Sequence, residues 1–214
     1  MSVQERRERE RAHRERLIVT TARDLAEAEG WDSVTTRRLA DRIEYSQPVL
    51  YSHFKGKDAI MAAVAVEGFA EIAALLRAAR TEASTAPAAL AAVVSAYVDF
   101  AERHPALYDA MFVHTVDLQF ARPETPAALG EAFGAIREAV RPFIGDGDDL
   151  DVPTEVLWAG LHGLVTLMRG GRLPRETHER RVALLVGHFA LRAGTSEPSV
   201  GGGHLQSGLG GARA

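Results

Sequence analysis

The 214-residue chain is 46% hydrophobic and 25% charged, enough apolar material for one medium domain or a small unit fused to a larger one. It contains no cysteine, which excludes disulfides, cysteine-ligated zinc and a thiol nucleophile. The net charge of −4 divides into +1 over residues 1–66 and −5 over the remainder; screening acts over about 10 Å, so a locally basic surface attracts phosphate whatever the total.

No apolar run approaches the roughly 18 residues that a bilayer span requires. The N-terminal stretch MSVQERRERERAHRER is charged, with no apolar segment after it, and does not read as a secretory signal. A cytoplasmic protein without a membrane partner is expected.

The periodicity is helical throughout, and the fold class expected is all-α. The arginine- and glutamate-rich start supports two readings, a solvated helix of paired charges or an arm reaching into a minor groove through Arg11 and Arg14. Residues 1–10 read as flexible. Ile18, Ala22, Leu25 and Ala26 then form one apolar stripe on a first helix that stops at Gly30. Thr35 is placed to cap a second helix with Leu39, Ala40 and Ile43 on its buried face. Ser46 is placed to cap a third, with Pro48 tolerated in its first turn. A long fourth helix follows from Lys57 to about Arg80.

Five more helices are expected, over 87–103, 104–113, 126–143, 153–169 and 175–192. A domain of residues 1–66, a second of 67–193, and a disordered Gly- and Ser-rich tail of 194–214 describe the organisation. The acidic break at Asp146, Asp148, Asp149 and Asp151 does not fit a calcium loop, whose twelfth position would be Leu157 where a carboxylate is needed. Asp151 as the cap of the next helix explains it better. No nucleophile elbow, phosphate loop or HExxH motif is present, and the eight histidines lack metal-ligand spacing. Neither a metal nor a cofactor is expected, and the chain is not read as an enzyme.

The segment from Val34 to Lys57 carries the function. Leu50 and Phe54, four apart, can plug the third helix into a core. That leaves Gln47, Pro48, Val49, Tyr51, Ser52 and His53 for the outside, the layout of a helix-turn-helix. Gln47 suits adenine N6/N7, Pro48 or Val49 a thymine methyl, and Arg37 a guanine edge. Thr36, Tyr51, His53 and Lys57 suit phosphates, which fix register.

With Thr35, Thr36, Leu39, Ala40, Leu50, Tyr51, His53, Phe54 and Lys57 in this order, residues 12–65 resemble the tetracycline-repressor (TetR) family. The resemblance implies base contacts by Arg37, Gln47 and Pro48, and backbone or neighbouring contacts by Thr36, Tyr51, His53 and Lys57. One departure stands out: the family usually has Gly and a small apolar residue in the turn, where this chain has Glu44 and Tyr45. Trp158, His162 and Gly163, followed by GGRLP, resemble the regulatory domain of a TetR subgroup named for its Trp-x-x-x-His-Gly signature.

That likeness implies a homodimeric regulator with a double-stranded palindromic operator and a small, largely apolar effector that releases it. Candidate pocket residues are Tyr97, Phe100, Tyr108, Met111, Phe112, Phe133, Trp158 and His162, although aromatic residues at helical spacing are more often plain core. For His162 a core hydrogen bond is the other reading. The family's four-helix dimer interface, carried over, falls on Val156, Gly160, Leu164 and Leu167, and on Val182, Leu185, Val186 and Phe189. Two other readings stay open: a helical-bundle enzyme with a structural head, and a DNA binder without an effector.

Overall fold

In a computed structural model, the residues described are 2–114, 118, 125–145 and 147–192, and they contain helices and no strand. The α-helices are α1 (Val3–Glu29), α2 (Thr36–Arg42), α3 (Gln47–His53), α4 (Lys57–Glu82), α5 (Ala86–Arg103), α6 (Pro105–Phe112), α7 (Ala127–Val140), α8 (Asp151–Arg169) and α9 (His178–Arg192). The tail expected to be disordered lies outside the described residues.

Helix α1 corrects the flexible-arm expectation for residues 1–10. It runs unbroken from Val3, with Ser2 and Glu5 closing a reciprocal capping box, which satisfies two of the amides a helix start leaves unpaired. Arg11 pairs with Glu15 at 2.9 Å and Arg6 with Glu10 at 3.9 Å along the exposed surface. The stripe of Ile18, Ala22, Leu25 and Ala26 is buried as expected. Gly30 ends the helix at φ 81°, its N–H returning to the Ala26 carbonyl, a left-handed stop that glycine adopts without a Cβ clash.

Thr35 caps α2 by accepting from the Arg38 amide at 3.2 Å. The turn after α2 explains how Glu44 and Tyr45 replace the usual residues. Glu44 takes φ 58°, and the Tyr45 amide donates back to the Ala40 carbonyl at 3.0 Å. That is the six-to-one bond of a Schellman stop, and Tyr45 packs half-buried on the core beside it. The left-handed conformation costs a non-glycine residue about 1 kcal/mol; the bond and the tyrosine packing offset it.

Two capping expectations fail. Ser46 holds the position before α3, but its side chain makes no capping bond; its carbonyl alone accepts from the Val49 and Leu50 amides. Asp151 does not cap α8: Leu150 stands at the cap position without a side-chain bond, and the Asp149 carboxylate before it accepts from the Asp151 amide at 2.8 Å. Asp151 is already inside the helix, and its carboxylate takes the Arg137 guanidinium.

Helix α4 is the spine. Its Ile60, Met61, Val64 and Ala65 close the core of the first three helices, and its Phe69, Ile72, Ala73 and Leu76 enter the core of α5–α8. The sequence expectation of no membrane-length apolar run needs amending here. Among the described residues α4 alone has the length and composition of a span, its most apolar window reaching a mean hydropathy of 1.9, yet half of that window is buried inside the molecule. Core helices of this kind are hydrophobic nearly all round because protein surrounds them. Gly68 permits a close crossing with α6. A Cβ there would lie 2.7 Å from the Met111 sulfur and 2.8 Å from a Leu107 methyl, so α6 lies directly against the α4 backbone.

Candidate nucleic-acid interface and internal cavity

Helix α3 is held by two residues. Leu50 is buried and Phe54, at the end of the helix, packs on the core. With that side fixed, the 3.6-residue period turns Gln47, Pro48, Tyr51 and Ser52 outward, all exposed, while Val49 is half-buried. Tyr51 is 53% exposed, and its hydroxyl lies 3.4 Å from Thr36 Oγ1 at the start of α2. Arg37 is exposed on the adjoining turn. These side chains form one polar edge across α2 and α3. Ser52 spends its hydroxyl on the Val49 carbonyl at 2.6 Å.

Two of the side chains assigned to phosphate face other work. His53 is turned inward, its side chain only 6% exposed, and its Nδ1 lies 3.2 Å from Glu15 Oε1. The imidazole N–H donates to that carboxylate and ties α3 to α1. The same bond from His53, ahead of the Arg11 pairing, holds the Glu15 carboxyl below its ordinary range. The Lys57 ammonium donates to the Trp31 carbonyl, bracing the start of α4 against the turn that follows α1. Lys55, exposed between α3 and α4, is a cation that sequence reasoning passed over; its place two residues beyond His53 was the available signal.

The body holds a cavity of about 610 Å³ between α4, α7 and α8. Phe69, Ile72 and Leu76 of α4, Phe112 of α6, Leu129, Phe133 and Ile136 of α7, and Glu155, Trp158 and Ala159 of α8 line it. Of the eight expected pocket residues, Phe112, Phe133 and Trp158 are in the lining. Tyr97, Phe100, Tyr108 and Met111 are not; they are buried core at 1%, 2%, 0% and 2% exposure. The α4 contribution was missed because apolar residues on a central helix carry no signal separating a cavity wall from a packed core.

His162 is likewise absent from the lining. It ends a polar chain that starts at the cavity wall. Trp158 Nε1 donates to the Tyr97 hydroxyl at 3.2 Å, the Tyr97 and Tyr108 hydroxyls are 3.0 Å apart, and Tyr108 lies 2.7 Å from His162 Nδ1. The proton order that leaves no hydroxyl hydrogen idle runs from Trp158 through Tyr97 and Tyr108, with His162 accepting. Desolvation, then the nearby Arg169, lowers the His162 pKa and favours that neutral acceptor. Burial pushes the Tyr97 hydroxyl up to about 12 and raises that of Tyr108 further, so both stay protonated.

From this chain the contacts continue to the head. Arg169 lies over the Tyr108 ring, pairs with Asp109 at 3.0 Å and donates to the Pro105 carbonyl. The amides of Ala106 and Leu107 at the same end of α6 donate to Glu27 of α1 at 3.1 and 3.0 Å. A carboxylate suits a helix N-terminus, where unpaired amides and the dipole both favour negative charge. Trp31 Nε1 donates to the Ala106 carbonyl at 2.7 Å. The start of α6 is therefore the joint between cavity and head.

The expected interface residues divide. Val156 and Leu167 on α8 are exposed, at 55% and 39%, and Leu184 on α9 is exposed at 67%. Gly160 and Leu164 are half-buried, and a Cβ at Gly160 would meet Leu185 of the same chain at 3.2 Å. Val182, Leu185 and Val186 pack partly buried on their own core. Phe189 is 4% exposed and belongs to that core, which removes it from any surface patch. Among the described residues no cluster of acidic residues and histidines suits a metal ion.

Known proteins share both halves. The model for bacterial regulatory proteins of the tetR family matches residues 18–64, and that for the tetracyclin repressor-like C-terminal domain matches residues 90–189. An uncharacterised HTH-type transcriptional regulator of Mycobacterium tuberculosis is 29% identical over 155 residues, 72% of this chain and 69% of that protein. The class C tetracycline repressor protein of Escherichia coli is 46% identical over 48 residues, 22% of each chain. A solved structure of a protein of unknown function from Rhodococcus sp. RHA1 superposes with a TM-score of 0.68 at 28% identity, over 82% of this chain and 92% of that one. The chain belongs to the TetR family of transcriptional regulators.

Proposed function

We propose that this regulator is a ligand-responsive repressor acting in the cytoplasm, bound as a homodimer to a palindromic operator. One observation carries the DNA reading: α3 is anchored by Leu50 and Phe54 and presents Gln47, Pro48 and Tyr51 to solvent beside exposed Arg37. Gln47 and Arg37 read base edges, Pro48 supplies apolar contact, and Thr36, Tyr51 and Lys55 set register on phosphates. Lys57 and His53 act from behind, as braces. A two-fold pair of such heads occupies successive major-groove turns, and this requires a two-fold operator. Exposed Val156, Leu167 and Leu184 supply the apolar patch for pairing.

The effector site is the apolar cavity, and the start of α6 transmits its occupancy. A ligand against Phe112 and Trp158 favours one arrangement of α6 and α8; Glu27 and Trp31 pass that preference to α1, while α4 carries it to α3. Release needs only that the ligand bind the DNA-incompetent state better. The Trp158–Tyr97–Tyr108–His162 chain supports placing the body in the Trp-x-x-x-His-Gly subgroup, because the tryptophan and histidine of that signature are in this chain the ends of one hydrogen-bonded path.

The test is a mobility-shift assay with the DNA upstream of its own gene, at low salt and rising ionic strength. The expected result is a footprint over an imperfect palindrome, lost steeply with salt. Failure to retard any promoter fragment at low ionic strength would remove the DNA reading. Sedimentation at micromolar concentration checks the pairing, and a monomer there counts against it.

A further inference from the structure

The cavity has a chemical polarity that its apolar character conceals. Four helices give its walls aromatic rings: Phe69 lies edge-on to Phe112 with centroids 5.2 Å apart, and Phe112 lies 6.0 Å from Trp158. Phe133 of α7 completes the group. Trp158 has committed its N–H to Tyr97, so it offers the cavity a ring and not a donor. Among the described lining residues the single charged one is Glu155. It lies one turn before Trp158 and Ala159 on α8 and is exposed, and its carboxylate makes no hydrogen bond or ion pair with a described residue.

We infer that the cavity takes an organic cation, its apolar body among Phe69, Phe112, Phe133 and Trp158 and its positive nitrogen against Glu155. This rests on the cavity being the effector site and adds the ligand's charge. A volume of about 610 Å³ falls in the range of pockets for drug-sized molecules. A neutral ligand gains from the rings alone. An anion meets the Glu155 charge at the mouth. A cation gains twice, from the carboxylate and from the negative faces of the rings, whose attraction grows as water is excluded. Selectivity then comes from repulsion as much as attraction.

The experiment uses the full chain with three probes on one phenylbutyl scaffold: trimethyl(4-phenylbutyl)ammonium, its neutral isostere with carbon in place of nitrogen, and the smaller, planar-headed 5-phenylpentanoate. Binding is read from tryptophan fluorescence and from the shift in thermal midpoint. The cation should bind about tenfold tighter than the neutral isostere, and the carboxylate more weakly than either. Glu155→Gln, at an exposed position that folding tolerates, should bring the cation down to the neutral probe and leave the neutral probe unchanged. Equal binding of cation and isostere, or a preference that survives Glu155→Gln, overturns the charge assignment and leaves the cavity as effector site. Absence of binding by all three overturns both.

Discussion

The head and the body of this regulator put their chemistry on opposite sides of their helices. In α1–α3 the buried residues are plain hydrophobic anchors and the informative side chains point out, Gln47, Tyr51 and Arg37 among them. In the body, apart from exposed Val156, Leu167 and Leu184, the informative groups are inside: a tyrosine pair, a half-buried histidine and an aromatic cavity. A surface device is set by a helix's own period once one anchor is known. An internal one depends on which helices meet.

The comparison predicts how each half fails. Leu50→Ala should cost about 2–5 kcal/mol of stability, because the site lies between short helices with little freedom to collapse; thermal unfolding and loss of operator binding should coincide. If the protein keeps its midpoint, α3 is not held by that anchor. Tyr108→Phe removes the central hydroxyl of a buried chain, leaving Tyr97 and His162 each short of a partner. The expected loss is about 1–3 kcal/mol by chemical denaturation, with operator affinity of the folded protein unchanged. Gln47→Ala inverts that pattern. Its stability should move by less than about 0.5 kcal/mol, while discrimination at one base pair falls by about 1–3 kcal/mol. An unchanged preference on a substituted operator panel would take Gln47 out of base reading.

The smallest expected effect is on pH. Burial and Arg169 lower the His162 pKa in the folded state, whereas the unfolded chain titrates near the ordinary value of about 6.5. Below that pH the unfolded state binds the proton first, so this contribution is complete above about 6.5 and is lost as pH falls toward the folded value. Thermal midpoints measured from pH 7.5 down to 5 should decline less steeply in His162→Gln than in the wild type. Identical slopes would mean that the histidine is not held neutral inside the fold.

The order of the helices and the approximate bounds of most of them were legible because glycine and proline punctuate strong 3.6-residue patterns; the start of α1 at Val3 was not. The stripe of Ile18, Ala22, Leu25 and Ala26 lies as its spacing indicates, and Leu50 anchors α3. Some readings failed for a common reason. His53 sits on a strip that pattern alone calls exposed, but Glu15, 38 positions away, draws it in. Phe189 lies on a stripe that pairing between copies or packing within one copy would explain equally well, and packing within the chain takes it. Asp151 failed as a cap for a local reason instead, because α8 begins at that residue and the Asp149 carboxylate takes its amide.

The amino-acid order alone determined an all-helical chain and the anchor and outward strip of a DNA-reading helix. All of these follow from interactions within a few residues, where helix period and backbone sterics decide. Tertiary structure decided which aromatic residues enclose space and which fill it, that His53 and Lys57 brace the head, and that the start of α6 joins cavity to head. Those outcomes depend on contacts between segments far apart in the chain, such as Glu27 with Ala106 and Leu107, and no local periodicity encodes them.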